Sequence, residues 1–292
     1  MSANVLTTVF LPIALAIIMF GLGLSLVAED FRRVVRYPKA VIVGLTCQVL
    51  VLPIVCWLVA VAFGLVPALA VGLMLLAASP GGTSANLYSH IANGDVALNI
   101  TLTAVNTVLA VVTLPIIVNL SLVYFFGEGK VIPLQFSKVA QIFALVLIPV
   151  AVGMIVNKNW PGFATKMRRP VKILSIVFLV AVVILTIAKD WVALSANATA
   201  VGGAALAFNL TSLAIGYFVP RLLNLEQRQA IAIGMEIGIH NGTLAIAVAL
   251  SPLMLNNSLM AIPAAIYSVI MFFTAAIFGW LVNIRGGPRP QR

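Results

Sequence analysis

Runs of about twenty apolar residues recur nine times along this chain of 292 residues, at about 5–27, 40–62, 68–92, 96–124, 133–156, 171–190, 196–219, 229–251 and 259–283. A helix of roughly 20 residues crosses a hydrocarbon core about 30 Å thick. Charged residues make up only 8% of the chain and apolar ones 62%, whereas a soluble domain carries about 25% charge to solvate its surface. A chain so poor in charge has to face lipid. Lipid offers no partner to the backbone, so runs of this length must be helical. The expectation is an all-α integral membrane protein, a single transmembrane unit over 1–292 with nine transmembrane helices.

The breaks between runs carry ordinary punctuation, such as Tyr37-Pro38, Val66-Pro67, Gly94-Asp95 and Pro161-Gly162. No Lys or Arg precedes the first run and no small-residue cleavage site closes it, so it reads as a span and not as a cleaved leader. Net charge is +10, which in a soluble protein points to nucleic acid. Here the basic residues read as topology signals, with no nucleic-acid partner expected. Arg32, Arg33, Arg36 and Lys39, then Lys158, Lys166, Arg168, Arg169 and Lys172, then Arg221 and Arg228, then Arg285, Arg289 and Arg292 fall on one side of a nine-span chain. Only Lys130, Lys138 and Lys189 fall on the other. The positive-inside rule puts the N-terminus outside and the C-terminus in the cytoplasm of a plasma or cell inner membrane. Cys47 and Cys56 are about 13 Å apart along one predicted helix, beyond disulfide reach, and read as small core residues.

Two runs are not ordinary spans. Segment 68–92 holds Ser79-Pro80-Gly81-Gly82-Thr83-Ser84-Ala85-Asn86 at its middle. Proline removes a backbone donor and two glycines weaken the helix further, so the stretch unwinds where it must be buried or line a wet cavity. Segment 229–251 holds Gly234-Met235-Glu236-Ile237-Gly238-Ile239-His240-Asn241-Gly242-Thr243. Glu236 is the one acid deep in a span, and such a carboxylate calls for a cation, a proton or a partner. In segment 96–124, Asn99, Thr103 and Asn106 or Thr107 make one polar stripe at helical spacing. It serves as interhelical glue or as a set of oxygen ligands.

Taken in order, the second, third and fourth segments correspond to the seventh, eighth and ninth with opposite sense, and the first corresponds to the sixth. Inverted repeats with broken helices are a feature of secondary transporters, whose sites lie where the breaks meet. The half-helix N-termini there suit an anionic substrate.

The motifs MFGLGLSL (19–26), CQVLVLP (47–53), SPGGTSANLYSHIANGDVALNITLT (79–103) and MEIGIHNGTLA (235–245) resemble those of the bile acid:sodium symporter family. The resemblance implies a panel domain (about 5–27, 133–156 and 171–190) and a core domain (about 40–62, 68–92, 96–124, 196–219, 229–251 and 259–283). It implies that the two broken helices cross, and that a sodium gradient drives symport of an organic anion, bile-acid-like or a small monocarboxylate, by alternating access. One implied sodium site uses Asn86, Asn99, Thr103 and Glu236, with Ala85 and Asn99 standing where serines are usual. The second uses Gln48, carbonyls of Ile237 and Ile239, and His240 in place of the usual glutamine. The implied substrate residues are Thr83, Ser84, Asn241, Met271 and Phe272, the last two replacing a usual His-Asn pair. A neutral imidazole is a poor ligand for a hard cation. His240 therefore suggests one bound sodium, with histidine tuning or replacing the second ion's charge.

A proton-coupled or uncoupled organic-anion carrier of the same fold is the alternative. A membrane protease would need a second acid within a span, and a metalloenzyme more than the isolated His90 and His240. A channel would need rings of ligands. The basic asymmetry yields a direct test of sidedness. A cysteine replacing Arg168 should resist an impermeant maleimide added outside intact cells, and labelling there would invert the topology.

Overall fold

The computed structural model describes residues 11–127, 136–189, 191–251 and 254–285. Positions 5–10 of the first expected segment, 133–135 of the fifth and 190 of the sixth lie outside it, as do Lys130, Arg289 and Arg292. Among the described residues the chain is helical and has no strand, only an isolated bridge between two residues.

Helix α1, Leu11–Gly23, ends four residues short of the expected segment. Ser25 Oγ donates to the Leu22 carbonyl at 2.6 Å, satisfying an acceptor at the frayed end. A short helix that the hydropathy reading left unassigned, α2 (Ala28–Arg36), follows. Its buried Asp30 accepts from the Val27 N–H at 2.7 Å and from Arg33 Nη1 at 2.8 Å. That carboxylate both caps the helix and neutralises one of its arginines.

Helix α3, Pro38–Ala62, contains a π-turn at Cys47–Val51, where the Leu52 N–H reaches back to the Cys47 carbonyl. Pro53 follows directly and cannot donate, so the ladder widens before it. Both cysteines are buried and free. The third expected segment is two helices, α4 (Pro67–Ala78) and α5 (Thr83–Ile91), and the eighth is also two, α10 (Gln227–Gly238) and α11 (Gly242–Leu250). Between them run α6 (Val96–Phe126), α7 (Phe136–Asn159), α8 (Pro161–Lys189) and α9 (Trp191–Leu222). A 3₁₀ turn at Leu259–Ala261 leads into α12, Ile262–Arg285.

Four stretches, Pro38–Ala62, Val96–Phe126, Asn197–Leu222 and Leu259–Ile284, are each long and apolar enough to cross a membrane. Their outward faces support the same reading. On α3 the exposed residues include Ile42, Leu50, Ile54 and Leu58, an apolar stripe at helical spacing where a soluble protein would place charge.

Helices α1, α7 and α8 pack on one another, while α10 packs against α5, α6 and α9. The α1–α7 contact is backbone on backbone. A Cβ on Gly153 would lie 2.8 Å from Leu24 N and would run into the Phe20 carbonyl, and one on Gly23 would run into the Val150 carbonyl. Small residues at crossings let membrane helices approach this closely. Gly153→Val should therefore cost about 1–3 kcal/mol by overpacking, read as a lower unfolding midpoint in detergent. Gly162→Val, where a Cβ meets open space, is the control that should not show this loss.

Candidate functional site

The two interrupted helices are broken at the same place in space. Helix α4 stops at Ala78 because Pro80 cannot continue it, and α10 stops at Gly238. The chain then runs extended past Gly81 on one side and His240 on the other, and these two residues form the antiparallel bridge. Gly82 N–H donates to Ile239 O at 2.7 Å, and Asn241 N–H donates to Pro80 O at 2.9 Å. Each break thus supplies partners that the other has lost.

Polar side chains complete the accounting. Gln48, aimed inward from the π-turn of α3, donates through Nε2 to Ser79 O at 3.1 Å. Asn209 Nδ2 and the Tyr267 hydroxyl both donate to Gly238 O, at 2.9 and 3.0 Å, and Thr274 donates to Asn209 Oδ1. Asn241 Oδ1 caps α11, accepting from Leu244 N–H at 3.0 Å and Thr243 Oγ1 at 2.7 Å. No motif in the sequence marks Asn209, Tyr267 and Thr274 as a set. The only signal for it there is that each is a polar group inside an apolar run.

Glu236 lies one turn before the break of α10 and is 1% exposed. Its carboxylate sits where a side chain of Gly81 would be. Thr103 Oγ1 donates to its Oε2 at 2.6 Å. Asn99, one turn from Thr103 on α6, donates through Nδ2 to Ala232 O at 2.7 Å, which turns its own amide oxygen away from that bond. Three oxygens on these packed elements, Glu236 Oε1, Asn99 Oδ1 and Asn86 Oδ1, are buried without a hydrogen-bond partner, and Ser89 Oγ on α5 is another. Buried acceptors with no donor are costly unless something cationic meets them. Oxygen-only ligation is what a hard cation takes, so these residues fit sodium. The expected Asn86, Asn99, Thr103 and Glu236 thus come from three elements that pack together, and Ser89 is an oxygen that the motif reading passed over.

The other expected set is built differently. His240 is buried, stacks on Phe208 with ring centroids 5.6 Å apart and meets Tyr267 edge-on at 5.5 Å. Its Nδ1 is 3.3 Å from Ser79 O and 3.4 Å from Gln48 Nε2. It donates to the carbonyl in one tautomer and accepts from the amide in the other. Ile239 O is already an acceptor in the bridge. Gln48 Oε1 remains unpartnered, but an imidazole occupies the space beside the amide. This set fits sodium less well.

A cavity of about 660 Å³ opens from the crossing. Thr83, Ser84, Asn241, Met271 and Phe272 all line it, together with Gly82, His240 and residues of α1 and α8. Phe272 stacks on Tyr88 of α5, ring centroids 6.0 Å apart. Gly82 at the N-cap of α5 brings no side chain to its first N–H groups, so the Thr83 end of that helix presents donors to the cavity.

Paired helix breaks holding a carboxylate and unmatched oxygens, beside an apolar cavity with helix N-termini in its wall, belong to polytopic membrane proteins that bind ions within the bilayer. The chain is a member of the sodium bile acid symporter family, whose model matches residues 12–196. It is 31% identical over 262 residues to a Bacillus subtilis protein named uncharacterized sodium-dependent transporter YocS, covering 89% of this chain and 78% of that one. It is 28% identical over 290 residues to the probable sodium/metabolite cotransporter BASS2, chloroplastic, of Oryza sativa subsp. japonica, covering 97% and 66%. With the ileal sodium/bile acid cotransporter of Oryctolagus cuniculus it shares 26% identity over 283 residues, covering 94% and 78%. All three relatives are transporters by name.

The packing at Gly81 makes a stability prediction. Gly81→Ala drives a methyl group into the Glu236 carboxylate, which has to shift from its place beside Thr103. A Cβ on Gly82 would lie 3.2 Å from His240 O, which small shifts relieve. Gly81→Ala should lower stability by roughly 1–3 kcal/mol, and Gly82→Ala by clearly less, in thermal unfolding of the purified protein. Equal losses would mean that the carboxylate is not held against Gly81.

Proposed function

We propose that this protein is a sodium-coupled symporter of an organic anion that works by alternating access. The observation that carries the reading is the Glu236 carboxylate, held at the meeting of two broken helices with unpartnered Asn86 and Asn99 oxygens on the elements packed around it. A sodium ion bound there neutralises Glu236 and gives those oxygens a partner. It thereby stabilises the crossing that forms one wall of the cavity. Substrate anion enters the cavity against Thr83, Ser84, Asn241, Met271 and Phe272, with helix N-termini as its electrostatic complement. Ion and anion meet across a few residues of extended backbone, so each favours binding of the other.

In this reading α1, α7 and α8 form the panel and the remaining helices the core, related internally by inverted repeats in a nine-span chain. The N-terminus is outside and the C-terminus cytoplasmic. The packing of α1, α7 and α8 on one another supports a panel that moves as a unit. One sodium is coupled, not two, because His240 fills the neighbouring position with a ring nitrogen and aromatic contacts.

Reconstituted uptake tests the reading. Sodium should drive accumulation of an organic anion with a Hill coefficient near one. Glu236→Gln, which keeps shape and removes charge, should abolish the sodium dependence while leaving the protein folded. Uptake driven equally by a proton gradient without sodium would favour the proton-coupled carrier. Normal sodium-driven uptake by the Gln variant would remove the carboxylate from the ion site.

A further inference from the structure

The cavity has a second charged feature, remote in sequence from the crossing. Arg168 and Lys172 both line it, one turn apart on the same face of α8. Arg168 is fixed: its Nε donates to Leu24 O at 2.9 Å, and its Nη2 to Asn157 Oδ1 at 3.1 Å. Asn157 in turn donates to Leu26 O at 3.0 Å, so the guanidinium is tied to the unwound end of α1 and to α7. Lys172 carries no such restraint. It is exposed, and no acidic side chain makes an ion pair with it among the described residues. Among the described residues no Asp or Glu lines the cavity, and Glu236 lies behind the Gly81 backbone. Much of the rest of the wall is apolar, from Leu22, Val171, Ile184, Val269 and Phe273.

Two uncompensated cations in a cleft of low-dielectric wall focus a positive potential into it. A cationic ligand is repelled there, and an uncharged one gains nothing from the field. We infer that Lys172, backed by the anchored charge of Arg168, is a specificity-determining anion subsite, which selects ligands carrying a carboxylate or sulfonate on an apolar body. The apolar body packs on the α1 and α8 wall, and the flexible lysine closes on the acid group. Arg168 is a positioning residue, holding that part of α8 against α1. The inference rests on the organic-anion reading above and goes beyond it, because the discriminating charge belongs to α8 and not to the crossing.

The test is equilibrium binding of radiolabelled cholate and of its uncharged amide, cholamide, to the full chain in nanodiscs at fixed sodium. Wild type should prefer cholate. Lys172→Met should weaken cholate binding about fivefold and leave cholamide unchanged, collapsing the preference. Lys172→Arg should keep it. An unchanged cholate-to-cholamide ratio in Lys172→Met would overturn the subsite while leaving the anion reading intact. A wild type that binds both steroids equally would overturn the subsite together with the anion preference itself. Because Lys172 is exposed and its substitution disturbs no hydrogen bond, a loss confined to cholate reports charge, and a loss of both ligands would count against the proposal.

Discussion

Everything at the centre of this molecule depends on two helix breaks satisfying each other. Inside a bilayer an unpaired amide or carbonyl costs several kcal/mol, since no water is available to replace the lost partner. Pro80 and the glycines around it make a break in α4 unavoidable, and the Gly238–Asn241 stretch opens α10. Either alone would be untenable in lipid. Joined by the bonds Gly82–Ile239 and Asn241–Pro80, with Gln48, Asn209 and Tyr267 serving Ser79 and Gly238, both become affordable. The extended backbone thus created has the Glu236 carboxylate against Gly81 and the cavity against Gly82, His240 and Asn241.

Two glycines with different duties sit in that wall. Gly81 is required because its missing side chain is the room occupied by the Glu236 carboxylate. Gly82 leaves the start of α5 without a side-chain cap, where Gly82, Thr83 and Ser84 line the cavity. Adjacent in sequence, they face opposite partners: a carboxylate behind the crossing and a ligand space in front of it.

Much of this was legible in the sequence. Charge scarcity and run length identified a membrane protein, and Pro80-Gly81-Gly82 and Gly238 located both breaks. Glu236 and the Asn99–Thr103 stripe were conspicuous because polar groups are expensive in such surroundings. What could not be read depends on register between distant segments. Nothing local says that Glu236 abuts Gly81, or that Asn209 and Tyr267 converge on one carbonyl. Helix α2 escaped because its polarity hides it from a hydropathy scan, and the end of α1 at Gly23 was masked by the apolar Leu24 and Leu26 beyond it. Lys172 was counted as a topology signal, and only its place in the cavity wall distinguishes it from its neighbours in sequence.

The antiparallel bridge also has a geometric consequence. Two short extended segments bridged antiparallel possess a local twofold axis, and with identical residues their two faces would be interchangeable. Here one segment carries a hydrogen atom at the axis and the other an imidazole ring packed between Phe208 and Tyr267. The vacant position admits a negative charge and the occupied one admits nothing. The two sides of the crossing are thereby made unlike at the axis itself, and a ligand or ion approaching from one side meets a different surface from the other.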